Sequence, residues 1–382
     1  MKILYIWHAA VEKNYRKLFS EMAKENEIFL ITSHRWYESS KDQFFNRDPE
    51  IDKNFKIFKF FAVFHNHIRS FFYLNVFKMI YILLKVNPEV IYLKEEPYSI
   101  NAFQWVFLAK IFSKNAKIVI ESDENLPINH PKLFLLIEKY VLNKIDCLAC
   151  VPTKGEELYR SKNFKKKILK TFYFYNEELF KPIAKNIAIK ELKLSLSGNP
   201  IIFGYAGRIT EEKGIEDLLN AFLMLFKENQ NTMLLIAGKG EILYENKLKS
   251  FVKENNINVC FMGSLPLEKL VFFYNALDAF ILPSHSTSWW IEQFGRVIIE
   301  SMACGTPVIG SSSGEIPIVI NNNELIFEEK NTSQLFEIMK KFAEGKIKKE
   351  KISESVLKEA YKYSIKNVAE NKLNIMKETL KC

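Results

Sequence analysis

Two glutamates, Glu292 and Glu300, stand eight positions apart in the run Glu292-Gln293-Phe294-Gly295-Arg296-Val297-Ile298-Ile299-Glu300. The apolar stretch Asp278–Pro283 ahead of them reads as a buried strand, and Gly305 with Pro307 beyond them marks the stop of a helix that opens near Gly295. Glu292 therefore falls in the loop before the helix and Glu300 inside it. A carboxylate held just ahead of a helix N-terminus can accept hydrogen bonds from sugar hydroxyls, and the amides of Arg296, Val297 and Ile298 suit phosphate oxygens. A sugar joined to a diphosphate satisfies both halves. Glu300 has a plainer reading too, because Arg296 lies four positions before it and a surface pair at that spacing is worth about 0.3–0.5 kcal/mol. Against that, Val297, Ile298, Ile299 and Met302 make the helix apolar around most of its circumference, so a glutamate on it needs a partner.

A second segment carries cations. Gly204-Tyr205-Ala206-Gly207-Arg208-Ile209-Thr210-Glu211-Glu212-Lys213-Gly214 ends one expected strand and opens a helix striped by Ile215, Leu218, Leu219, Phe222 and Phe226. Gly207 permits close backbone approach, Arg208 offers a planar fork and Lys213 a point charge, all suited to a diphosphate; a solvated surface turn is the equal alternative. Gly238-Lys239-Gly240-Glu241 is a weaker turn of the same kind. Trp289 and Trp290, beside Glu292, can stack on a sugar ring or simply fill a loop. Glu121, Asp123, Asn125 and His130 fall at and after the end of the expected strand Lys117–Glu121, where residues should face a ligand cleft. No P-loop, no GxGxxG after a strand and no GxSxG elbow occurs, which argues against a P-loop ATPase, a dehydrogenase or a serine hydrolase.

These residues need a scaffold, and the chain supplies one. Short apolar strands at Ile3–Trp7, Ile28–Thr32, Val90–Leu93, Lys117–Glu121 and Cys147–Val151 alternate with helical stretches, and the pattern restarts at Pro200–Gly207 and continues through Met233–Ala237, Val259–Met262, Asp278–Leu282 and Val308–Ile309. Alternation of this kind predicts an α/β chain of two doubly wound Rossmann-like domains facing a cleft. Expected boundaries are 1–178 for the first domain, 179–199 for a linker, 200–355 for the second domain, and 356–382 for a helical tail long enough to return to the first. A chain of 382 residues, 48% hydrophobic and 26% charged, fits two globular domains. No signal-peptide core or membrane-spanning run is present, which predicts a cytoplasmic protein.

Charge is uneven. Residues 1–180 hold 28 basic and 21 acidic residues, a net +7, and the remainder 26 and 24, a net +2. In the basic half, the aromatic residues from Phe55 to Tyr81 interleave with Lys56, Lys59, Arg69 and Lys78, a composition that suits either an anionic membrane surface or a core. His65 and His67, without a carboxylate nearby in sequence, read as structural. Cys147 and Cys150 form a CxxC inside an expected strand with no further ligands, so no metal site is expected; Cys260 and Cys304 read as core, and Cys382 is the last residue.

The order of these features resembles the GT-B glycosyltransferases of family four, glycosyl transferases group 1. The resemblance rests on Glu292 and Glu300 with Phe294-Gly295, on Met302-Ala303-Cys304-Gly305-Thr306-Pro307-Val308-Ile309, on Ser311 to Pro317, and on Gly207-Arg208 with Lys213-Gly214. It implies that Arg208 and Lys213 hold the donor diphosphate, that Glu300 binds the ribose, that Glu292 contacts the transferred sugar, and that Phe294 and Gly295 offer backbone groups nearby. It also implies transfer of a hexose-type sugar with retention of configuration, without a protein nucleophile, a metal or a resident cofactor. The donor would be a nucleotide-diphosphate sugar of UDP or GDP. The acceptor would be a glycan or a lipid-linked glycan in cell-surface polysaccharide, lipopolysaccharide or glycan assembly, reached from the inner face of the membrane. Two other readings stand beside it: an epimerase or phosphorylase of the same architecture, and a non-catalytic protein recruited to membrane or nucleic acid, which the intact charged set disfavours. The chain departs from many relatives at His8-Ala9-Ala10-Val11-Glu12, where a glycine-rich turn is common, at Phe174-Tyr175-Asn176-Glu177, and at Glu315 after Gly314. His130 is the candidate for the catalytic-loop histidine of some relatives.

Overall fold

The computed structural model describes every residue except Ser39, Ser40, Ser197 and Cys382. Residues Met1–Tyr173 with Ile365–Cys382 form one compact unit and Phe174–Ser364 the other.

The first unit is built on seven strands: β1 (Lys2–Ile6), β2 (Glu27–Ser33), β3 (Lys56–Phe60), β4 (Val90–Lys94), β5 (Lys117–Ser122), β6 (Cys147–Cys150) and β7 (Lys167–Lys170). They lie in the order β7-β6-β5-β4-β1-β2-β3, and every pairing is parallel. The central strands are buried along nearly their whole length because helices cover both faces, with polar residues confined to their ends. Because crossovers between parallel strands are right-handed as a rule, the helix Lys13–Met22 falls on one face and the helices Val76–Val86, Ile100–Phe112 and Lys132–Lys144 on the other. The final helix, Ile365–Leu380, joins this unit by packing against Lys13–Met22.

Local chemistry sets the helix starts. Asn75 accepts from the Lys78 amide at 2.9 Å and Ser99 from the Ala102 amide at 3.0 Å, each satisfying a first-turn donor.

The second unit holds β8 (Ile201–Ala206), β9 (Thr232–Ala237), β10 (Val259–Gly263), β11 (Ala279–Leu282), β12 (Val308–Ser311) and β13 (Ile326–Phe327), again all parallel, in the order β10-β9-β8-β11-β12-β13. The order reverses between β8 and β11. Segments leaving those two strands diverge, and the gap between them is where this topology receives ligands. Residues 179–199 contribute the helix Lys185–Glu191, which packs on Leu267–Ala276 within the second unit. The helix Lys349–Tyr361 packs on Arg296–Ala303, so the chain leaves the second unit at Ser364.

The aromatic and basic stretch from Phe55 to Tyr81 divides in two. Phe55, Phe60, Phe71 and Tyr73 are buried in the core and Lys56–Phe60 is a strand, whereas Phe61, Phe64, Phe77 and Tyr81 are exposed. His65 does have a carboxylate near it in space, Asp42, with Nε2 at 3.6 Å. Cys147 and Cys150 are buried on β6, Cys304 is buried and Cys260 half-buried; Cys382 lies outside the described residues.

Candidate active site

The two segments singled out by their chemistry meet at the reversal point of the second sheet. Gly207 and Arg208 follow β8, and the loop from Pro283 to Gly295 follows β11. The Lys213 ammonium donates to Glu292 Oε2 at 2.7 Å, and the Ser284 hydroxyl donates to the same oxygen at 3.1 Å. Both side chains of the ion pair are nearly buried, at 12% and 11% exposure, so the pair is held in a low-dielectric setting. The Lys213 ammonium also sits 4.3 Å from the centre of the Trp290 ring, a contact worth about 1–2 kcal/mol when desolvated. Trp290 thus seats the lysine, while Trp289 is 67% exposed.

Two close approaches require glycine. Gly214 caps the helix Ile215–Glu228 with φ of +68°, and a Cβ there would lie 1.9 Å from the Pro283 carbonyl oxygen. Gly238, at the end of β9, would place a Cβ 1.8 Å from the Gly207 carbonyl oxygen. Only backbone fits between these turns, which brings the β8 and β9 turns close together. The neighbouring Arg208 is 62% exposed with its guanidinium 3.8 Å from Glu212, and its carbonyl accepts from the Tyr205 hydroxyl at 2.5 Å. Its backbone is therefore fixed while its head group faces solvent.

Gly295 is the N-cap of the helix Arg296–Ala303, with φ of +81° and no side chain capping it. The Ile298 amide donates to the Gly295 carbonyl at 2.8 Å, so of the three amides assigned to phosphate this one is engaged inside the turn. Phe294 turns into the core, edge-on to Tyr363 at 5.4 Å, and can offer a ligand only its backbone. Glu300 is half-buried and accepts from the Tyr274 hydroxyl at 2.9 Å. Burial pushes its carboxyl pKa up, opposed by the Arg296 charge and the tyrosine hydrogen bond. The partner demanded by the apolar helix is thus a tyrosine as well as Arg296.

The first-unit candidates occupy different surroundings. Glu121, at the end of β5, is 2% exposed and accepts from Lys94 Nζ at 2.5 Å, from the Tyr92 hydroxyl at 2.7 Å and from Lys372. Burial alone would raise its pKa, but the Lys372 and Lys94 ammonium groups reverse that and hold it at about 2. Its carboxylate is occupied by the ion-pair network that ties Ile365–Leu380 to the sheet. His130 is buried with its ring 4.1 Å from Tyr98, and neither ring nitrogen has a hydrogen-bond partner; Glu124 Oε1 stands 3.7 Å away. Burial and the Arg69 charge pull the His130 pKa down. Asn125 is half-buried on the same loop.

Sequence reasoning passed over two further groups. In the second unit, His285 Nε2 lies 2.5 Å from Asp217 Oδ2, which ties the β11 loop to the helix behind Lys213. In the first unit, His8 follows β1 and Glu95 follows β4, at the reversal point of that sheet. His8 Nδ1 lies 2.9 and 2.8 Å from the two carboxylate oxygens of Glu95, and its amide donates to the same group at 3.1 Å. Trp36 and Phe71 clamp the imidazole at 3.9 and 5.0 Å. With Nδ1–H donated to the carboxylate, Nε2 is left as a hydrogen-bond acceptor. The available signal was position at a strand end, Glu95 directly after β4 and His8 two residues past β1, at the switch point.

The family model for glycosyl transferases group 1 matches residues 188–359, all within the second unit. Through this segment the chain is similar to the glycosyl transferases group 1. Among curated proteins it is 31% identical to a D-inositol 3-phosphate glycosyltransferase of Corynebacterium jeikeium over 133 residues, 32% of this chain and 30% of that protein. It is also 31% identical to the capsular polysaccharide biosynthesis glycosyltransferase CapM of Staphylococcus aureus, over 38% of this chain and 37% of that protein. The chain thus spans about a third of the length of these two relatives. The solved structure of Anabaena HepE in complex with UDP superposes with a TM-score of 0.73, covering 99% of this chain and 100% of that one at 14% identity. That likeness establishes the fold, the two Rossmann-like units of GT-B glycosyltransferases.

Proposed function

We propose that the protein transfers a hexose-type sugar from a nucleotide-diphosphate donor to a glycan or lipid-linked acceptor, with retention of configuration and without a metal, in assembly of cell-surface glycans. The observation that carries this reading is the Lys213–Glu292 pair on Trp290, set at the switch point of the second sheet beside the helix bearing Glu300. Lys213 and Arg208 bind the diphosphate. As the bond between the anomeric carbon and the phosphate oxygen breaks, its electron pair leaves with the phosphate, and these two cations stabilise the charge that develops. The acceptor oxygen bonds to the anomeric carbon from the same side, and its proton passes to the departing phosphate, so no protein nucleophile is needed. Glu292, aimed by Lys213 and Ser284, accepts hydrogen bonds from sugar hydroxyls, and Glu300 accepts from the ribose. In the first unit, His8 Nε2, freed by Glu95, orients an acceptor hydroxyl. The cell-surface setting is supported by the capsular-polysaccharide role in the name of CapM, and UDP is the first nucleotide to test because HepE was solved with it.

The test is calorimetric binding of UDP, GDP, ADP, TDP and CDP to the wild type and to Glu300→Ala, followed by turnover with the sugar nucleotide of whichever base binds. One base should bind and be weakened in Glu300→Ala, while Lys213→Ala should mainly lower turnover. Activity should survive EDTA, and the product anomer should match the donor. Binding of none of the five, or wild-type behaviour in both variants, rejects the assignment.

A further inference from the structure

The three neighbouring helices on one face of the first sheet have an unusual outer surface. Val76–Val86 turns Met79, Ile82, Leu83 and Val86 inward. On its opposite side Phe77, Tyr81 and Leu84 recur at the spacing of one helical stripe and are 87%, 54% and 58% exposed. The next helix exposes Phe107 and Ile111, and the third exposes Leu133 and Leu136. Tyr140 of the third helix lies 5.2 and 6.4 Å from Phe103 and Phe107 of the second, so those two stripes join into one surface. A water-facing surface scatters its apolar residues; a run across three packed helices marks an interaction face.

Its charge identifies the partner. The three helices carry six lysines (Lys78, Lys85, Lys110, Lys132, Lys139 and Lys144) and a single carboxylate, Glu138, which is buried and accepts from Lys162 at 2.7 Å. Lys110 lies 3.5 Å from Asp146 and Lys78 donates to the Lys59 carbonyl, whereas Lys85, Lys132, Lys139 and Lys144 are exposed, so the face is apolar and cationic, with no exposed carboxylate on its helices. A second copy of a chain with net charge +9 would bring like charge to it. No helix among the described residues is long and apolar enough to cross a membrane.

We propose that this three-helix face rests on an anionic lipid bilayer, its rings and leucines entering the headgroup boundary and its lysines meeting lipid phosphates. The inference stands apart from the donor-site reading, which concerns the second unit.

The experiment is flotation of the full chain with vesicles of phosphatidylcholine alone or mixed equally with phosphatidylglycerol, at low and high salt. The variants are Phe77→Glu/Leu136→Glu, Lys85→Glu/Lys139→Glu, and Ile242→Glu, an exposed apolar position of the second unit, as control. Wild type and Ile242→Glu should float with the anionic vesicles only and be released by salt. Each double variant should bind more weakly by roughly tenfold or more, from lost apolar area in one and lost lysine attraction in the other. Thermal melting of all four proteins confirms folding, and UDP calorimetry run beside it scores the donor site separately. Wild type that fails to float, a double variant that floats like wild type, or a concentration-dependent dimer abolished by Phe77→Glu/Leu136→Glu would each overturn the proposal.

Discussion

Replacing Glu121 by glutamine tests whether that residue is a structural ion-pair centre. The substitution keeps the shape and removes the charge, leaving Lys94 and Lys372 buried at 9% and 2% side-chain exposure. Lys94 then has Asp123 at 3.5 Å, and Lys372 has the Thr171 hydroxyl at 3.0 Å. Breaking a buried pair from one side costs about 3–5 kcal/mol, because the surviving charges stay dry and keep only these weaker partners. A second route gives a similar figure. The Glu121 pKa falls from an ordinary 4.5 to about 2, and at 1.36 kcal/mol per pH unit this corresponds to about 3 kcal/mol. The sign follows from the depressed value: the contribution is fully present above the unfolded pKa and is lost as pH falls through about 4.5 towards 2. Urea unfolding followed by tryptophan fluorescence reads this directly, since Trp105 is fully buried in the first unit. At neutral pH the variant should lose about 3 kcal/mol, and its stability should change less than that of wild type on acidification below pH 4.5. Retention of wild-type stability, or an unchanged acid slope, would refute the account of Glu121 as the tie between the last helix and the sheet. A large loss of turnover without loss of stability would return it to the acceptor site.

Three further outcomes are expected. Because burial raises the Glu300 pKa and ribose hydroxyls donate to its ionised form, nucleotide affinity should weaken as pH falls through that raised value and be pH-independent in Glu300→Gln; calorimetry across about pH 5 to 8 checks it, and a flat wild-type profile refutes it. Gly214→Ala places a methyl against the Pro283 carbonyl at a left-handed position, so it should destabilise the second unit by about 2 kcal/mol or more and impair nucleotide binding, as read by thermal melting and calorimetry. His8→Gln should leave nucleotide affinity unchanged and lower kcat by about tenfold or more, the worth of one positioned hydrogen bond, with Glu95→Gln acting in the same direction; wild-type kcat in both variants removes His8 from the acceptor site.

What could be read from the sequence followed from how completely a segment is buried. β4, β5, β8, β9 and β11 are covered on both faces, so their apolar runs announced them, and Gly207, Gly214 and Gly295 punctuated the turns that follow β8 or open helices. The edge strands β3 and β7 are only half-covered, and lysines occupy their open positions, which is why Lys56–Phe60 did not stand out as a strand within a basic, aromatic stretch that suited either a membrane surface or a core. The second-unit site was legible because its chemistry lies in two short, ordered segments. The Glu121 network was not, since its partners come from β4 and from a helix 251 positions away in sequence, and no local spacing encodes a tertiary ion pair. His8 and Glu95 are likewise 87 residues apart. Each follows a strand at the switch point, however, so a parallel sheet of this order brings them together whatever the residues between them are. Position after a strand therefore carries chemical information even where the motif expected there, a glycine-rich turn, is missing.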